Sequence, residues 1–449
     1  MEGFLGKMEV QQLASAEELE RKYVLRSWAV QGSMPYEEIV GGEGCWFWEK
    51  SGKKYLDFSS QWVNTNIGHQ HPKVIEAIKE QADKLCYIAP NFGNETRGKL
   101  AEQIVKYTPG DLNKVFFTLG GGESNDNAIN LVRQVTGRYK VMARYRSYHG
   151  TTLGGLSISG EPRRQPAEPL LPGIVRLFDP YCYRCSFGQS YPGCGLECAE
   201  HIREVMLYEG PGSIAAVFLE PVTGTNGVFI PPKEYLPRVR EICDEFGVLL
   251  VADEVMTGWG RTGKWFGVEN WDVIPDVMTM AKGVTQGYMP LGAVVVSQKI
   301  ADYYDDNFFW YGLTYSGHPL ACAAGIATVK IYEEENLIDN SARMGAKLKT
   351  RLEQIKEKHP SVGDVRAIGL FSSIELVKDR ETKEPLAPWN GPDPGVMAKI
   401  NKCLRDKGVY VYIRWNYLFI APPLAINEEE LKFGLDAVDE CLEIADQAL

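Results

Sequence analysis

The sequence predicts an α/β protein centred on a mainly parallel β-sheet wrapped by helices. Two observations carry that expectation. Short apolar runs of strand length recur through the middle of the chain without polar alternation, as strands covered on both faces require. Helical stretches separate them, and EYLPRVREICDEF (234–246) closely precedes VLLVA, as an α/β crossover should. In chain order, KVFFT (114–118) reads as a strand, followed by a Gly-rich turn and a helix from Asn125 to Thr136. Further strands are expected at Lys140–Ala143, Ile214–Leu219, Val248–Ala252, Val277–Ala281 and Ala293–Val296. After Ser316 the pattern turns helical (ACAAGIATVKIYEEE, ARMGAKLKTRLEQIKEKH), then gives strand pairs and the terminal helix EEELKFGLDAVDECLEIADQAL. A large domain is expected over 65–325, with a smaller one built from both chain ends, 1–64 and 326–449.

Composition narrows the class. The chain has 449 residues, 44% hydrophobic and 24% charged, proportions of an ordinary globular protein with ample material for a core. Its net charge of −11 argues against a polyanionic partner such as nucleic acid. No apolar run approaches the roughly 18 to 20 residues a bilayer needs. The N-terminal MEGFLGKMEVQQLASAEELERKY lacks the apolar stretch of a secretory signal, so a cytoplasmic enzyme with no membrane partner is expected. The ten cysteines do not make a disulfide scaffold in a chain this long. Cys45, Cys86, Cys243, Cys322, Cys403 and Cys441 are scattered, whereas Cys182, Cys185, Cys194 and Cys198 form a C-x2-C-x8-C-x3-C run. That spacing suits a structural zinc; the alternative is reduced cysteines packed in a Gly/Pro/Tyr-rich insertion. No catalytic metal is expected.

In open α/β sheets, ligands collect at the carboxyl ends of strands. Three charged residues close apolar runs: Glu220 in AAVFLEP, Asp253 in VLLVADEV and Lys282 in VMTMAKG. The turn TLGGGESNDNAINLVR brings Gly120, Gly121 and Gly122 before a helix, where bare amides can approach an anion. GWGRTG (258–263) fits G-x-G-x-x-G but opens no amphipathic helix, which speaks against nicotinamide or flavin. A phosphate cradle, a lysine and an aspartate together match the needs of pyridoxal 5′-phosphate. The amine forms the Schiff base, the carboxylate keeps the pyridinium nitrogen protonated, and an aromatic such as Tyr148 can stack on the ring.

These segments resemble the class III (omega) aminotransferases of the type I pyridoxal-phosphate fold, in the taurine or β-alanine–pyruvate group. The resemblance runs through NIGHQHPKVIEAI (66–78), RSYHGTTLG (146–154), LEPVTGTNGV (219–228), VADEVMTGWGRTGKWFG, DVMTMAKGVTQGYMPLGAVVVS and GLTYSGHPLACAAG (312–325). It implies a seven-stranded sheet in the large domain and a smaller α+β domain. It makes Lys282 the Schiff-base lysine and proton shuttle, and pairs Asp253 with the pyridine nitrogen. Val255 and Tyr148 would flank the ring, and Gly121 and Gly122 would give amides to the phosphate. Thr314 would reach the neighbouring subunit's phosphate across a homodimer, or a dimer of dimers, with shared active sites. The chain departs from the family in having Gly120-Gly121-Gly122 where a hydroxyl residue is common, and Thr225-Asn226 where small residues are usual.

For the substrate, Arg414 lies in the apolar segment VYVYIRWNYLFIAPPL and needs an anionic partner; its planar fork suits a carboxylate. It resembles the family arginine that binds the carboxylate of an amino or keto acid. Trp62, Phe92 and Trp310-Tyr311 fall where family members line the substrate pocket, beside Glu220. The expected reaction is ping-pong transfer of an amino group from an amine or ω-amino acid (β-alanine, taurine or similar) to a keto acid, pyruvate above all. A decarboxylating aminotransferase or an aminomutase shares the same constellation.

Overall fold

The computed structural model describes residues 14–449. The first thirteen residues, part of the charged N-terminal stretch considered above, lie outside the described residues.

Three sheets organise the chain. The N-terminal strands β1 (Ile39–Glu43), β2 (Trp46–Glu49) and β3 (Lys54–Asp57) form an antiparallel set. The large sheet holds β4 (Leu112–Thr118), β5 (Lys140–Arg144), β6 (Ile174–Leu177), β7 (Ile214–Leu219), β8 (Leu249–Asp253), β9 (Val277–Met280) and β10 (Gly292–Ser297), in the order β4-β10-β9-β8-β7-β5-β6. Its strands are parallel except β10, which runs against both neighbours. The C-terminal part adds β11 (Val362–Ile368), β12 (Phe371–Leu376), β13 (Val409–Tyr410), β14 (Tyr412–Arg414) and β15 (Tyr417–Ile420). Of these, β11-β12-β15-β14 make an antiparallel sheet. Strand β13 leaves it and pairs parallel with β3, so the two chain ends share a sheet.

The continuous apolar runs are explained by double coverage. Along β7, Ala216 and Phe218 pack with Ile129 and Val132 of the helix Gly121–Thr136. Val217 and Leu219 turn the other way, onto Val239 and Ile242 of the helix Tyr235–Phe246. With successive side chains alternating and both faces buried, polar residues have no place until the strand ends.

Three sequence expectations shift. Strand β6 has no counterpart among them; IVRL is half-buried at the sheet edge, and Arg176 breaks its apolar run. The helix expected from Asn125 begins at Gly121, with extended Gly120 as its N-cap, so the glycines form the first helical turn. Cys403 and Cys441, scattered along the sequence, are joined in a disulfide between the helices Val396–Asp406 and Glu428–Asp446; their separation along the chain hid a proximity created by folding.

Candidate active site

A cavity of about 940 Å³ opens at the carboxyl ends of β7, β8 and β9. The residues closing these strands meet there. Asp253 ends β8, Glu220 directly follows β7, and Lys282 begins a short 3-10 turn one residue beyond Ala281.

Lys282 takes a left-handed backbone, φ +40°, uncommon for a side chain with a Cβ. Its Nζ donates to the carbonyl of Trp62 at 2.8 Å. The side chain is partly open to the cavity, yet the amine is deep enough for desolvation to pull its pKa down to about 8, against the opposing pull of Asp253 and Glu220. Trp62 comes from the segment Ser60–Val63, where Ser60, Gln61 and Val63 all have positive φ. Strained backbone thus concentrates on both sides of this hydrogen bond.

Asp253 is buried and fully engaged. Its Oδ2 stands 2.6 Å from His149 Nδ1 and accepts from Asn125 Nδ2 at 2.8 Å, while Oδ1 accepts the Val255 amide at 3.0 Å. Asn125 is fixed in turn by Thr279 and the His149 carbonyl. Such a carboxylate is oriented before any ligand arrives. Glu220 reaches the cavity, but its oxygens accept the amides of Tyr148 and Gly224, and burial raises its pKa. It braces the wall that carries Tyr148.

At the N-terminus of Gly121–Thr136, a Cβ on Gly121 would come within 2.9 Å of Val255, and one on Gly122 within 3.1 Å of Thr152 Oγ1. Side chains there would fill the space in front of the helix amides, which is the requirement of an anion cradle. Val255 and Tyr148 line the same cavity.

On another wall, fully buried Glu161 is clamped between two arginines: Arg163 Nε reaches one carboxylate oxygen and Arg414 Nη2 the other. Arg163 lies 3.5 Å from the centroid of the Tyr148 ring and donates to Thr225 Oγ1 at 3.2 Å. The unusual Thr225 therefore anchors an arginine. Arg414 rests on Trp415 at 4.0 Å and keeps a buried Nη1 without a partner. Two guanidiniums share one carboxylate, leaving a positive charge for an incoming anion.

Lys282, Asp253, Gly121, Gly122, Tyr148, Val255, Glu220, Trp62 and Arg414 all line this cavity. Phe92 does not line it within the single chain; it is 56% exposed in a segment without regular structure. Trp310 is 74% exposed, and Tyr311 bonds the Asn130 carbonyl. Thr314, exposed, lies beside Tyr87, whose hydroxyl donates to its carbonyl. Sequence reasoning missed His149, Asn125, Glu161 and Arg163. The first two stand inside segments already singled out; the clustered charges of EPRR were the available signal for the others. Gly258–Gly263 forms turns braced by buried Arg261. No nucleotide-binding helix opens from it, as its sequence foretold.

The family model for aminotransferase class III matches residues 28–442. The chain is a class III aminotransferase. This aminotransferase is 38% identical to the taurine–pyruvate aminotransferase of Bilophila wadsworthia over 82% of its own length and 84% of that protein's. It is 33% identical to the putrescine–pyruvate aminotransferase of Pseudomonas aeruginosa, covering 90% of each chain. Its fold matches the structure of the taurine:2-oxoglutarate aminotransferase from Bifidobacterium kashiwanohense, in complex with pyridoxal phosphate and glutamate. There the TM-score is 0.93, with 43% identity over 97% of this chain and 99% of that one. The fold is therefore the type I pyridoxal-phosphate fold, and pyridoxal 5′-phosphate is the cofactor of this aminotransferase. The site fits that group: a cradle that any Cβ would fill, an oriented buried carboxylate and an amine with a lowered pKa share one cavity.

Proposed function

We propose that this aminotransferase moves an amino group from an amine or ω-amino acid with an anionic end, β-alanine or taurine among them, to pyruvate in a ping-pong cycle. The observation that carries this reading is the Glu161 clamp, which places Arg414 and Arg163 in the same cavity as Lys282. The name of the taurine–pyruvate relative supports an anionic-ended donor and the acceptor, and that of the putrescine–pyruvate relative supports an ω-amine donor and the same acceptor.

When bound, pyridoxal 5′-phosphate supplies a carbon that accepts the amino group and a ring that spreads the charge left when the substrate loses a proton. The chain's residues do the rest. The amides of Gly121 and Gly122 would hold the phosphate, Val255 and Tyr148 would confine the ring, and Asp253, fixed by His149 and Asn125, would pair with the ring nitrogen. Lys282 would hold the cofactor through its amine, and that amine, neutral when free, would take the proton from the donor carbon. Arg414 binds the substrate carboxylate or sulfonate by exchanging Glu161 for it, and moves aside for amines without an anion.

The exposed aromatics Phe92, Phe308, Trp310 and Tyr315, near Thr314, support a homodimer in which Thr314 serves the neighbouring site. Eight of the ten cysteines are free thiols, which fits a reducing, cytoplasmic location, whereas the Cys403–Cys441 disulfide argues the other way. A panel of amines with pyruvate, read by alanine formation, tests the function. Alanine from β-alanine or taurine is the expected result; release of carbon dioxide, or isomerisation without an acceptor, would replace this reading.

A further inference from the structure

The segment joining β6 to the helix Glu197–Glu209 brings Cys182, Cys185, Cys194 and Cys198 together, all as free thiols. All four line one cavity of about 20 Å³, far from the size of an organic ligand and suited to a single ion or water. The backbone sets them in two pairs. The first pair flanks a 3-10 turn in which the Arg184 amide donates to the Tyr181 carbonyl, and the Gly188 amide closes the next turn onto the Cys185 carbonyl. Cys194 accepts the Glu197 amide through its carbonyl, and Cys198 sits in the first turn of the 13-residue helix, where free amides favour a thiolate.

We propose that Cys182, Cys185, Cys194 and Cys198 bind one zinc ion in a structural four-thiolate site. Among the described residues no three such side chains yet stand in metal-holding geometry, so binding gathers thiols that border one cavity onto a common centre, about 2.3 Å from each sulfur, and sheds their protons to solvent. The loop so fastened has work to do. Arg184 Nε bonds Glu375 of β12 at 2.7 Å, the Tyr181 hydroxyl stands 3.2 Å from that of Tyr417 in β15, and Lys383 donates to the Tyr183 carbonyl at 2.7 Å. Zinc would thus secure the loop that supports the β14–β15 hairpin carrying Arg414.

The test is metal analysis of the full-length holoenzyme expressed in zinc-supplemented medium. About one zinc per chain is expected, released when a mercurial titrates the thiols. The Cys182→Ser/Cys185→Ser double variant is expected to retain less than roughly a tenth of it, while Cys86→Ser retains it all. If the double variant fails to fold, cobalt(II) added to the chelator-stripped wild type reports on the same four sulfurs through its thiolate charge-transfer absorption. Protein without zinc, iron in its place, no metal release by the mercurial, no cobalt–thiolate band, or peptide mapping that shows a disulfide within the four would overturn the proposal. None of these readouts depends on transamination, so failure here leaves the proposed reaction standing.

Discussion

Lys282 carries both a strained backbone and a depressed amine pKa, and the two have one origin: the turn after β9 drives the side chain under the Trp62 carbonyl, away from water. Replacing it with alanine should lower transamination by roughly a thousandfold or more with an unchanged circular-dichroism spectrum. Substantial residual turnover would remove it from the mechanism. Because its pKa falls from 10.5 to about 8, the neutral, nucleophilic form dominates above about pH 8. The rate at which apoprotein takes up pyridoxal phosphate should therefore rise through pH 8 and level off beyond it. A rise centred near 10 would contradict the desolvation. At this scale the lysine and aspartate were legible because a charged residue that closes a buried strand must find water or a binding partner where the strand ends. His149 and Asn125 were not, since a polar residue within a helix or loop gives no sign of which carboxylate it will meet.

The elements that matter most are the hairpin and the loops that bind it. Arg414 ends β14, Glu161 opens the 3-10 segment Pro162–Ala167, and Thr225 follows β7, so three distant stretches build one anion site. Replacing Arg414 by alanine should raise the KM for pyruvate about 10- to 100-fold, the loss of one charge-assisted pair, and leave a simple aryl-alkyl amine donor nearly unaffected. Equal effects on both substrates would end the carboxylate role. The apolar surroundings of Arg414 revealed its need for an anion, but its resting partner Glu161 lies some 250 residues away and became visible only through folding. Arg261 poses the complementary case. It is fully buried and donates to the carbonyls of Leu370 and Pro422, to Ser60 and to Asn66, while burial lowers its pKa to about 10. Changing it to methionine strands these acceptors and should cost about 3 to 5 kcal/mol in urea denaturation. A loss below about 1 kcal/mol would show that water replaces it.

Over the whole molecule, the positions of the central strands follow from the apolar runs, since strands buried on both faces leave strong signals, whereas their order in the sheet came only from the structure. The edge strand β6 and the antiparallel β10 are where the pattern fell silent, because edge exposure and strand direction are not written in hydrophobicity. The exposed aromatic face bears on assembly. Trp310→Glu should shift the protein toward a monomer in light scattering and reduce activity; an unaltered oligomer would place the interface elsewhere. The pairing of β3 with β13 reaches beyond catalysis. The Leu56 amide bonds the Gly408 carbonyl and the Phe58 amide that of Tyr410, so these donors find partners only when the chain has been made through residue 410. A growing polypeptide on the ribosome must hold that edge open for most of its synthesis. Truncation before residue 408 would then yield aggregates instead of a smaller enzyme.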